Sequence, residues 1–141
     1  MINKHKTILD FIKKHTLCVI STITPPHQPE AAVVEYGENN EFELIFDTFT
    51  DARKSKNLRL NNKIAVVIGW DDNITLQYEG EAFELKYGVE LNKYKHAYFQ
   101  KNPRAKKWEN REGITYFKIV PRWIHYSDLN VYPWNVFEIT F

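Results

Sequence analysis

The chain has 141 residues, with 19 Lys+Arg against 18 Asp+Glu and a formal net charge of +1. That length suits one domain, which buries roughly two thirds of its unfolded surface and needs no disulfide to hold a core. Hydrophobic residues make up 43% and charged residues 26%, a balance that excludes a disordered chain and bulk attraction to nucleic acid or a membrane surface.

In chain order, Ile8, Leu9, Phe11 and Ile12 recur at helical spacing, so residues 4–15 read as an amphipathic helix ending in Lys13 and Lys14. Leu17 to Ile23 is rich in β-branched residues and stops at Pro25-Pro26, as a strand does where proline removes backbone donors. Glu30 to Tyr36 and Phe42 to Asp47 are two further strands, with Gly37 to Asn40 as the hairpin connection between them. Thr50 and Asp51 are the expected N-caps of a helix running to Asn61. Ile64 to Trp70 reads as a buried strand, and Ile74 to Lys86 as a long alternating one that Gly80 bends. Residues 89–101 form a helix stopped by Asn102-Pro103. Ile114 to Tyr126 is a strand with Pro121 at an edge or bulge, and Val136 to Phe141 is the last strand. Six or seven strands joined mainly by hairpins predict one mostly antiparallel, mainly β domain, closed as a barrel with flanking helices.

Lone Cys18 has no partner for an internal disulfide and points to a reducing compartment. No apolar run approaches the roughly 20 residues of a membrane helix. The first fifteen residues are broken by four lysines and Asp10, unlike an export signal, so cytoplasm is the expected location.

The segment Asp47-Thr48-Phe49-Thr50-Asp51-Ala52-Arg53-Lys54 carries the most chemical information. It sets two cations in the first turn of a helix, where the backbone dipole favours acids. A phosphate resolves that conflict by accepting from free N–H groups, a hydroxyl of Thr48 or Thr50, and both cations; a solvated basic face with Asp51 as counter-charge is the alternative. The other candidates are weaker. The five histidines avoid the i, i+3 and i, i+4 spacings of metal ligands. Cys18 lies in an apolar strand and reads as core. Trp70, Trp108, Trp123 and Trp134 lack basic interleaving and read as core or interface. Glu79 and Glu81 fall on one solvated face, and no glycine falls in a nucleotide-loop pattern.

The run from Phe46 through Arg53-Lys54 to Asn61-Asn62, then Ile64 to Trp70 and Leu76-Gln77-Tyr78-Glu79-Gly80-Glu81-Ala82, resembles the pyridoxamine 5'-phosphate oxidase-like flavoproteins. The resemblance implies a split β-barrel, a homodimer with FMN at the subunit interface, and a small-molecule redox substrate. It further implies that Arg53 and Lys54 bind the phosphate, with Thr48 and Asp47 beside it. The backbone of Ala32, Val33, Val34 and Glu35 would lie along the ring, and Gln77 would contact the flavin. Trp70 or Trp134 is expected to wall the groove. The stretch from Ser127 to Phe137 lacks the Arg-x-His substrate motif of the true oxidases, and Ala31 stands where they carry a basic residue. The implied function is therefore an FMN-dependent oxidoreductase of another substrate, or a non-catalytic, stress-associated binder of flavin, deazaflavin or haem.

Overall fold

Period-two burial along the strands and a three-residue stripe on the first helix build one core. In the computed structural model, which describes residues 2–141, helix α1 (Lys4–Lys14) is capped by Asn3, whose side chain accepts from the Lys6 N–H at 3.0 Å, and it buries Ile8, Phe11 and Ile12. Strands β1 (Leu17–Thr24), β2 (Gln28–Glu35), β3 (Gly37–Glu38) and β4 (Leu44–Phe49) follow. Helix α2 (Arg53–Leu60) leads to β5 (Lys63–Ile68) and β6 (Ile74–Leu85). Helix α3 (Gly88–Lys101) then runs into a 3-10 turn (Pro103–Trp108), β7 (Ile114–Asp128) and β8 (Asn135–Thr140).

The sheet order is β2-β1-β5-β6-β7-β4-β3, with β8 added on β7, and every ladder is antiparallel. β2 and β3 stand at opposite ends of that path yet are joined by Tyr36 alone, so the sheet must curl until its two ends nearly meet. No ladder joins β2 to β4 among the described residues, so the barrel is split there, as the family resemblance implied, rather than closed as the strand count alone predicted. The predicted connection at Gly37 to Asn40 is corrected in the same place: Gly37 and Glu38 pair with Ile45 and Leu44 as an eighth short strand.

Inward side chains of β1, β5, β6, β7 and β8, including Ile20, Ile68, Leu76, Tyr78 and Ile124, pack with α1 in the main core. A second cluster lies on the other face of β4 and β7, where Ile45, Leu85 and Tyr116 meet Tyr94, Tyr98 and Ala105. Gly37 makes that docking possible, since a Cβ there would lie 2.6 Å from the Tyr98 Cα. Pro121 sits at a bulge as expected: the β6–β7 register slips between Glu79 and Gly80, and Gly80 faces Pro121. Cys18 is core, its thiol pushed up to about 12 by burial.

Candidate functional site

The split between β2 and β4 opens into a groove of about 610 Å³. β2 forms one wall with Val33, Val34 and Glu35; β4 forms the floor with Asp47, Thr48 and Phe49; α2 contributes Lys54. β2 is paired only to β1, so alternate N–H and C=O groups along its outer edge point into open space. A smaller hollow of about 430 Å³ continues along the same strand, lined by Pro29, Glu30, Ala31, Ala32, Arg53 and Lys54. Lys54 borders both spaces, and Arg53 borders only the smaller one.

The entry to α2 corrects the capping expectation. Ala52 holds the N-cap position, in extended conformation and with no side-chain cap. Thr50 and Asp51 lie in a turn before it, closed by the Ala52 N–H on the Phe49 carbonyl at 3.1 Å. The reason is competition for Thr50: its N–H bonds the Gly113 carbonyl at 2.7 Å, and Arg59 donates to both its carbonyl and its hydroxyl, each at 2.7 Å. The first intrahelical bond runs from Lys56 N–H to the Ala52 carbonyl, leaving the N–H groups of Arg53, Lys54 and Ser55 without helical acceptors. Buried Ser55 ties the turn down through Oγ on the Phe49 carbonyl at 2.7 Å. Arg53 forms an ion pair with Glu30 and is otherwise 80% exposed. Glu30 also accepts from buried Asn57 at 2.7 Å, so α2 is pinned to β2 from two positions.

Asp47 accepts from the Tyr98 hydroxyl at 2.9 Å. Burial raises the Asp47 carboxyl above its ordinary value, the Tyr98 bond opposes this, and nearby Glu35 reinforces it. Tyr98 is itself pushed well up by burial and by the Asp47 charge. Tyr116, opposite Asp47 in the β4–β7 ladder, is raised to about 12 by burial, and its buried hydroxyl has no partner among the described residues.

The largest addition to the sequence reading is the far wall. The 3-10 turn and the residues after it bring Arg104, Lys107, Trp108 and Arg111 to the groove, where Lys107 lies 5.2 Å and Arg111 4.9 Å from the Trp108 ring centroid. Arg111 also stands 5.6 Å from the Phe49 ring. None of Lys54, Arg104, Lys107 or Arg111 forms an ion pair among the described residues. The supposed lack of basic interleaving around tryptophan is thus overturned at Trp108; the signal was the run Arg104 to Trp108 followed by Arg111. Trp70 and Trp134, the expected walls, do not border the groove. Gln77 is also remote from it, on the outward face of β6 between Val67 and His125.

Comparison with known proteins agrees with this architecture. Residues 5–128 match the family described as pyridoxamine 5'-phosphate oxidase, and the chain belongs to that family. No curated protein matches it. Among solved structures, a heme-binding protein from Mycobacterium smegmatis superposes with a TM-score of 0.84 at 14% identity, over 99% of this chain and 59% of that one. Campylobacter jejuni ChuZ gives 0.81 at 11% identity, over 96% and 58%. The General Stress Protein 26 from Bacillus anthracis gives 0.74 at 20% identity, over 98% and 100%. The chain spans less than two thirds of the length of the first two. At these identities the likeness establishes the fold. No helix among the described residues is long and apolar enough to cross a membrane.

Proposed function

We propose that the groove binds FMN and that the protein is a flavin-dependent oxidoreductase acting as a homodimer in the cytoplasm. The observation that carries this reading is the meeting of cations without carboxylate partners, an open strand edge and an aromatic ring in one cavity. A phosphate fits the mouth of α2, where Lys54, the free N–H groups and the Thr48 hydroxyl converge, with Arg53 on the adjoining hollow. A planar heteroaromatic ring with donors and acceptors along its rim suits the free backbone groups of β2 from Ala32 to Glu35. Bound flavin would supply hydride chemistry at its ring; the chain would bind and orient it and exclude water with Trp108 and Phe49. The lone buried Cys18 suits a reducing compartment.

Haem is the competing ligand, because one structural neighbour is a heme-binding protein. The groove is lined by no His, Cys or Met, and its one tyrosine, Tyr98, is committed to Asp47. That lining favours flavin. The test is titration of the purified protein with FMN, followed by absorbance and fluorescence quenching. Arg53→Ala/Lys54→Ala is expected to weaken binding roughly 10- to 100-fold with the fold intact, since charge-assisted phosphate bonds are the strong ones. Unchanged affinity in that variant removes the phosphate anchor, and a Soret band with haem but no FMN uptake overturns the flavin reading. Oxidation of NADH or NADPH by the loaded protein with an added electron acceptor separates enzyme from carrier.

A further inference from the structure

The smaller hollow beside the groove carries a carboxylate next to the place where an anion is expected. Glu30, Ala32 and Val34 alternate on the more buried side of β2. That side of the strand leads from the groove, bordered by Val34, into the hollow, bordered by Ala32 and Glu30, and Lys54 stands at the junction of the two spaces. At about 430 Å³ the hollow falls within the size range of small-ligand pockets, so volume alone does not close it to a ligand that runs on from the groove.

Its charge does close it. Glu30 lies opposite Thr22 in the β1–β2 ladder, with its side chain only 16% exposed. Buried Asn57 donates to Glu30 at 2.7 Å and to the Thr22 hydroxyl at 3.0 Å, which fixes the carboxylate from the protein side. Its other oxygen pairs with Arg53, which borders the hollow but not the groove. An anion entering the hollow therefore meets a fixed negative charge, and the guanidinium that could have received it is already engaged. Pinning α2 to β2 through Asn57 needs only an acceptor at position 30, and a neutral amide oxygen would serve. The charge is left without a structural reason.

We propose that Glu30 is a specificity-determining residue that confines the phosphate end of the site to a terminal monoester, admitting FMN at Lys54 and rejecting a flavin whose phosphate is extended by a second one, as in FAD. For its ligand this rests on the flavin reading. FMN keeps its negative charge at the mouth of α2, whereas a diphosphate carries part of it past Lys54 and into the hollow. There it faces a carboxylate that cannot swing aside without giving up both Asn57 and Arg53. An adverse charge discriminates where pocket size does not. It also accounts for Arg53, which opens α2 beside the expected phosphate yet is tied to a carboxylate of its own chain.

Isothermal titration of the purified chain with FMN and, separately, with FAD tests the assignment, because the contribution of the shared ring cancels in the ratio of the two affinities. The wild type should prefer FMN at least about tenfold, the scale of one adverse charge near a protein surface. Glu30→Gln keeps an acceptor for Asn57 and removes the charge, and it should bring the two affinities within about threefold of each other. Glu30→Asp keeps the charge but shortens the reach to Asn57, and it should retain the wild-type preference. Equal affinities in the wild type overturn the assignment, as does a preference unchanged in Glu30→Gln. A preference lost in Glu30→Asp as fully as in Glu30→Gln shows that the brace acts rather than the charge, and overturns it too. All three results leave FMN binding standing. A chain that takes up neither flavin sinks the flavin reading, and this specificity with it.

Discussion

Two spaces in this molecule gather cations and treat them in opposite ways. In the hollow beneath α3, of about 600 Å³, Arg59 is held by Glu84 at 2.9 and 2.7 Å and by Thr50, and Lys95 is held by Glu109 at 2.8 Å. In the groove beside β2, Lys54, Arg104, Lys107 and Arg111 form no ion pair among the described residues, and Lys107 and Arg111 lie against aromatic rings instead. A cation matched by a fixed carboxylate holds the fold together, whereas several left unmatched around one cavity repel each other until an anion arrives. The difference separates architecture from site more sharply than any composition figure, because the whole chain carries a net charge of only +1.

That contrast can be broken by experiment. The largest effect is expected for Arg104→Ala/Lys107→Ala/Arg111→Ala, which should lower FMN affinity at least about 100-fold while the melting temperature falls by only a few degrees, since no ion pair is lost and the contacts with Trp108 and Phe49 are exposed ones. A large loss of stability instead would mean that these side chains are structural. Arg59→Ala should behave in the opposite way, destabilising by about 2 kcal/mol, or roughly 6 °C in Tm, with ligand affinity unchanged. Calorimetry and titration of the same two variants read both quantities.

Acid should act on the matched hollow first. The Arg59 bonds hold the Glu84 carboxyl down to about 2 from its ordinary 4.5, aided by the Thr115 hydroxyl. Because the folded value is the lower one, this stabilisation is complete above pH 4.5 and is lost as pH falls towards 2. Denaturant midpoints across that window should drop more for the wild type than for Glu84→Gln, and equal slopes would show that the pair carries no pH-dependent stability. The smallest effect is expected for Arg53→Ala by itself, at most about threefold in FMN affinity, because its guanidinium is already shared with Glu30.

Most of the elements were legible in the sequence. Periodicity placed α1, β1, β6 and α3 within one or two residues, since apolar spacing reports directly which face is buried. The peculiarity of Arg53-Lys54 was legible too, as a charge sign that contradicts the helix dipole. The cap of α2 was not, because Thr50 is claimed by Arg59, nine residues away, and Gly113, and neither competitor is visible locally. The eighth strand was missed because two residues carry no period. Trp108 was misread because its cations lie before and after it on a 3-10 turn, a geometry that alternation and helical spacing do not test.

By itself, the sequence determined the antiparallel β class, the buried thiol and the cationic start of α2, all of which follow from spacing between near neighbours. Only the tertiary structure decided that the split falls between β2 and β4 and that the turn after α3 completes the groove. It alone set Gln77 on the outward face. Those outcomes depend on contacts between residues tens of positions apart, and their closeness is a property of the curled sheet rather than of any local pattern.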